Sequence, residues 1–394
     1  MAPFGWARCG NKKGGHIILN QAIEGRVYIS TVGQLVPARI EWNVQGRITR
    51  LTRLDTRSTA LPVVLPGFID EHIHGACGHD VMEAHAEAWE QIEHALSRHG
   101  VTAFLATTIT APWDDLMAVA DLARQWTPSP LSTCIGMHWE GPYLDRQYKG
   151  AQPLEAIRAV NLEEIERAIV PLRHAERPLR VMTLAPNQSS ADQAIRLLTD
   201  HGIHVNMGHS GAGRSQAWEG MLAGADAITH LFNAMAPLHH REPGLLGLGL
   251  SAENLWLELI TDGIHVHPDI VRMVFQLAAH RIILITDGIS AIDQTPGRYR
   301  LGQWMVHVDG VSARLDDGTL AGSILTPDQS LRNLLQWGVP LREVVQAWCE
   351  APARRLALGG RGRIEEGAWA DLAIFDAQYQ VLSTIKNGHV LYQR

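Results

Sequence analysis

The chain reads as an α/β protein: a (β/α)8 barrel carrying a small β-sandwich built from both chain ends. Three observations predict this. Eight short apolar runs alternate with longer amphipathic stretches through the middle of the chain. Short β-type runs without helical periodicity occupy the first sixty and the last forty residues. Polar residues of metal-binding type follow most of the apolar runs.

The first sixty residues hold runs such as Arg26–Thr31 (RVYIST) and Ala38–Asn43 (ARIEWN), separated by Gly- and Asn-bearing turns. The C-terminal counterparts are Asp371–Asp376 and Gly388–Tyr392. The expected division is residues 1–60 and 355–394 for the sandwich and 61–354 for the barrel. Strands are expected at Val63–Ile69, Val101–Thr107, Cys134–Trp139, Leu179–Leu184, His204–Met207, Ala227–Thr229, Trp256–Ile260 and Ile282–Thr286. Helical stretches lie between them. Ala86–His99 is followed by Gly100 and Ala191–His201 by Gly202, glycines where a helix C-terminus favours them. An open doubly wound sheet has the same alternation; the polar residues at the strand ends favour the barrel, whose sites are built there.

Composition narrows the function classes. In 394 residues, 46% are hydrophobic and 19% charged, which suits a large buried core rather than disorder. The formal net charge of −7 argues against a nucleic-acid partner, which needs a basic surface. A small anionic substrate remains compatible, since one Arg and a few backbone amides hold a phosphate. Cys9, Cys77, Cys134 and Cys349 form no CxxC pair, which suggests neither a disulfide framework nor a thiolate zinc site. A reduced, cytoplasmic setting is expected. No apolar run reaches the ~18 residues of a membrane span.

The first strand runs into Asp70-Glu71-His72-Ile73-His74. Side chains alternate along a strand, so His72 and His74 share a face, where they form either a metal pair or part of a polar loop. Later strands lead into His138-Trp139-Glu140, Gly208-His209, Thr229-His230, Asp262-Gly263-Ile264-His265 and Thr286-Asp287. One such residue alone is more often a hydrogen-bonded core group. Their recurrence at strand ends points to a divalent ion held by imidazole and carboxylate. Cys77, His79, His85, His94 and His99 are read as loop, surface or capping residues.

These motifs carry a resemblance. PGFIDEHIHG (66–75), GMHWEGPY (136–143), GHSGA (208–212), THLFNAM (229–235), REPG (241–244), DGIHVHP (262–268), ITDG (285–288) and LAGSILTPD (320–328) resemble, in order, the N-acetylglucosamine-6-phosphate deacetylases of the amidohydrolase superfamily. LHHREPG and WLELITDGIHVHP are also similar to N-acetylgalactosamine-6-phosphate deacetylases. The resemblance implies metal-dependent release of acetate from an N-acetylhexosamine 6-phosphate. It implies Glu140, His209 and His230 as ligands of the principal metal, with His72 and His74 offering a second site. One or two ions, Zn2+ by default and otherwise Fe2+, Mn2+ or Co2+, are implied. Asp287 would act as general base and then acid, and His265 would contact the scissile carbonyl. Asn233, Ala234 and Arg241 would hold the sugar phosphate, with Arg241 reaching the neighbouring site of a homodimer. Ala151, Asp262, Leu320, Ala321 and Gly322 match further substrate-contact segments. Many relatives read KGAH where this chain has Lys149-Gly150-Ala151-Gln152, and the expectation is a lost contact near the sugar. Another metal hydrolase on the same barrel, or a non-catalytic sugar-phosphate binder, are the competing readings.

Overall fold

The apolar run that opens the barrel splits in two. In the computed structural model, which describes residues 21–56, 60–173 and 175–394, Val63–Pro66 and Phe68–Ile73 are separate strands rather than one strand over Val63–Ile69. Gly67 is the crossing point. Its N–H donates to the carbonyl of Asp371 at 2.9 Å, and a Cβ there would lie 2.2 Å from the Thr102 side chain. Only glycine leaves room here for the Thr102 side chain.

Val63–Pro66 runs parallel to Ala22–Ile29 and antiparallel to Leu372–Phe375. It thereby joins the two chain ends in one seven-stranded sheet, whose order is His389–Gln393, Val381–Lys386, Leu372–Phe375, Val63–Pro66, Ala22–Ile29, Gln34–Trp42 and Ile48–Arg53. The end-built domain therefore reaches past residue 60, where the sequence reading puts its edge. Val27, Ile40, Trp42, Val64, Ile374 and Ile385 form its separate core. Cys9 and the rest of residues 1–20 lie outside the described residues.

The second sheet has eight parallel strands: Phe68–Ile73, Val101–Thr108, Cys134–Glu140, Leu179–Leu184, His204–Met207, Ala227–Ile228, Trp256–Leu259 and Ile282–Leu284. The last closes on the first through a parallel bridge between Ile73 and Gly288, with the Asp287 N–H donating to His72 O at 2.9 Å. The sheet is a barrel, and the open alternative is excluded. Alternation sorts its side chains. Phe104, Ala106, Met182 and Leu184 join the main core under the helices. Ala103, Leu105 and Val181 fill the inside and meet Ala353 and Leu356, which follow the barrel and plug its lower end. Each fully buried aliphatic side chain there contributes roughly 1.5–3 kcal/mol.

A three-stranded antiparallel sheet, Gly297–Leu301, Trp304–Val308 and Ala313–Arg314, follows the eighth strand and is absent from the sequence reading. Its inner residues Leu301, Val306 and Ala313 pack on Ile109, Ile289 and Ala321 at the barrel mouth. Among the described residues no helix is long and apolar enough to cross a membrane.

Candidate active site

Four strand ends bring one carboxylate and four imidazoles together. The Nε2 atoms of His209 and His230 lie 3.1 Å apart, and each is 3.0 Å from Oε1 of Glu140. All three residues are buried. Two ring nitrogens and one carboxylate oxygen converging this closely make a donor set able to hold a divalent ion. His72, His74 and Glu140 form an adjoining group.

The far ring nitrogens set the tautomers. His209 Nδ1–H donates to Tyr148 O (3.2 Å), and His74 Nδ1–H donates to Thr107 O (3.1 Å). His72 Nδ1 faces Glu258 Oε2 at 3.2 Å. A carbonyl or carboxylate acceptor on Nδ1 leaves the Nε2 lone pair for the site. His72 Nε2 is buried without a hydrogen-bond partner, 3.5 Å from Glu140 Oε1 and 3.6 Å from Asp287 Oδ1. An orphaned inward-facing nitrogen of this kind fits a cation.

Asp287 stands across the mouth, its Oδ1 at 3.0 Å from His74 Nε2. Burial raises its pKa, but the adjacent imidazoles of His74 and His72 outweigh burial and hold the carboxyl below its usual range. Glu140 follows the same logic: burial opposes its charge, and His72 and His209 more than offset burial. Beside Asp287 sits His265. Asp262 accepts the N–H groups of Ile264 and His265 on Oδ1 (2.8 and 2.9 Å), while its Oδ2 lies 2.6 Å from His265 Nδ1. Burial disfavours a cationic His265, and Asp262 outweighs it, so its pKa is raised. His209, His230, Ala234 and Asp287 all have positive φ, at +46°, +24°, +49° and +50°. Such backbone costs about 1–3 kcal/mol per residue and persists where the surroundings over-determine it.

The mouth opens into a cleft of about 200 Å3. Ala151, Asn233, Ala234, His265, Leu320 and Gly322 line it, together with Leu301 from the added sheet. Three expected contacts are not brought there. Ala321 is turned into the small core, its N–H donating to Ala313 O at 3.0 Å. Asp262 lies behind His265 and orients it. Arg241 is exposed and outside the cleft, with Nη1 donating to His240 Nε2 at 2.7 Å.

Known proteins share this arrangement of chain. The Amidohydrolase family model matches residues 63–391. The N-acetylglucosamine-6-phosphate deacetylase of Lysinibacillus sphaericus is 36% identical over 364 residues, spanning 89% of this chain and 93% of that protein. The chain belongs to the N-acetylglucosamine-6-phosphate deacetylase family of amidohydrolases. The N-acetylgalactosamine-6-phosphate deacetylase of Escherichia coli O157:H7 is 37% identical over 81% of this chain and 85% of its own length. The crystal structure of the N-acetylglucosamine-6-phosphate deacetylase from Thermotoga maritima superposes with a TM-score of 0.87 at 33% identity, covering 95% of this chain and 100% of that one.

Beneath the clustered imidazoles of this amidohydrolase lies a polar layer that sequence reasoning missed. Arg355, fully buried, pairs with Glu71 and with Asp226 (2.9 Å) and Asn206 (2.5 Å), and lies 3.7 Å from Glu258. Glu258 in turn holds His72 and accepts from Thr229 Oγ1 at 2.6 Å. A signal was present: Glu258 interrupts the apolar run WLELI, where an unpaired acid would be costly. Gln152, where many relatives have His, lines the cleft and is also bonded to Glu140.

Proposed function

We propose that the chain hydrolyses the amide of N-acetylglucosamine 6-phosphate, giving acetate and glucosamine 6-phosphate in amino-sugar catabolism. The observation that carries this reading is the meeting of Glu140, His209 and His230 with Asp287 and His265 at the barrel mouth. Deacetylases of this substrate, at 33–36% identity, support it.

In this reading Glu140, His209 and His230 hold a divalent ion, with His72 and His74 available to a second. Zn2+ suits the donors best, and Fe2+, Mn2+ or Co2+ suit them also. Such an ion lowers the pKa of coordinated water toward about 7 and polarises a carbonyl. The remaining chemistry belongs to the side chains. Asp287, ionised through its histidine neighbours, takes the proton of the attacking water. It then gives that proton to the departing amine nitrogen. His265, kept proton-rich by Asp262, donates to the oxygen on which negative charge collects. Ala151, Asn233, Ala234, Leu320 and Gly322 bound the sugar. Arg241, exposed in its own chain, serves the phosphate held by the neighbouring subunit of a homodimer. A phosphorylated sugar of this kind is a cytoplasmic substrate.

A second reading, N-acetylgalactosamine 6-phosphate, is favoured by the 37% identity to the Escherichia coli enzyme. One experiment decides between them. Protein reconstituted with Zn2+ is given each N-acetylhexosamine 6-phosphate, and acetate is measured alongside metal stoichiometry. Higher kcat/KM on the glucosamine epimer is expected; preference for the galactosamine epimer selects the second reading. With Asp287→Asn, turnover is expected to fall by about 10^2–10^4 with metal retained. Near-wild-type turnover of that variant would remove Asp287 from the role of base.

A further inference from the structure

We propose that Gln152 is a positioning residue that sets the carboxylate of Glu140 for metal binding; this rests on the reading of Glu140 as a ligand.

Gln152 is 4% exposed and bridges two barrel strand ends. Its Oε1 accepts the backbone N–H of Thr110 at 2.7 Å, and its Nε2 donates to Glu140 Oε2 at 2.5 Å. The orientation of the amide is dictated by chemistry. A backbone N–H can only donate and a carboxylate can only accept, so the amide oxygen must face Thr110 and the NH2 must face Glu140. Thr110 is itself tied to the same place, its Oγ1 donating to the carbonyl of Glu140 at 3.1 Å.

The consequence is a division of labour between the two oxygens of Glu140. Oε1 is left to the nitrogens of His209 and His230. Oε2 is held by a neutral donor, which stops the carboxylate from rotating about its last bond. A neutral imidazole has the same polarity as the amide, with one ring nitrogen accepting and the other donating. Histidine at 152 would thus make the same clamp. The Gln is then equivalent to His at this position as far as the clamp on Glu140 is concerned, while the residue also lines the cleft.

The test measures Zn2+ affinity by competition with a chromophoric chelator, and bound metal by mass spectrometry, on wild type, Gln152→Leu, Gln152→Ala and Gln152→His. Circular dichroism checks the fold. Leu fills the space without a donor, and Ala serves if Leu does not fold. Removing such a support costs about 10–100-fold in metal affinity, and this loss is expected for Leu and Ala. Gln152→His is expected to stay within about threefold of wild type, on the same one-donor, one-acceptor pattern. Wild-type affinity in a folded Leu or Ala variant, or equal affinities for Leu and His, overturns the proposal. Wild-type protein that binds no Zn2+ overturns the metal reading and this proposal with it.

Discussion

Partner and burial decide what the imidazoles described above do. His99, by position a surface or capping residue, is instead held between Asp293 and Asp328, at 3.0 and 2.9 Å. Burial lowers its pKa, but the two carboxylates outweigh burial and raise it from the ordinary 6.5 to about 9. The cation is therefore favoured in the folded state. Its contribution is complete below pH 6.5 and is lost as pH rises through about 9, and it is expected to be on the order of 2 kcal/mol. Melting curves of wild type and His99→Asn should differ at pH 6 and converge by about pH 10. A constant difference across that range would mean packing, not charge, is what His99 supplies. The ligand-type residues were legible in the sequence because strand-end position and period-two alternation are local properties. The support of His72 was not. Glu71 and Arg355 are 284 positions apart, and nothing in either neighbourhood announces the other.

At the scale of elements, the barrel strands were legible because each is a short apolar run, buried on both faces. The first failed at its start because two strands of different sheets are apolar and separated only by Gly67. The added three-stranded sheet failed for the opposite reason: Gly297–Leu301 is mostly exposed, and its burial is lent by the barrel mouth. Gly67→Ala tests the crossing. The new methyl would overlap Thr102, and such overpacking costs about 1–3 kcal/mol. A lower urea midpoint with unchanged kcat is expected, since the residue touches no cleft side chain. An unchanged midpoint would mean that Thr102 moves aside freely.

Across the whole molecule, the end-built sheet and the barrel are joined by buried polar contacts as well as by apolar ones. Lys386 Nζ donates to Thr102 O at 2.6 Å, and Gly67 N–H donates to Asp371 O. Arg355 extends this linkage inward. Truncating it leaves Glu71 and Glu258 buried without their cation, and breaking a buried pair in this way costs about 3–5 kcal/mol. Arg355→Ala is expected to lose that much in a denaturant titration, and Zn2+ affinity with it, because Glu258 would no longer be held under His72. A variant of full stability and affinity would reduce Arg355 to a bystander.

Arg355 also has a place in time. It leaves the ribosome after all eight barrel strands, so a growing chain holds Glu71 and Glu258 before it holds their counter-charge. Until the helix that carries Arg355 docks, those acids must keep water or protons inside the barrel. The floor of the site is thus finished after the barrel strands, and a nascent chain has no dry, oriented His72 to offer a metal before Arg355 has been added and docked.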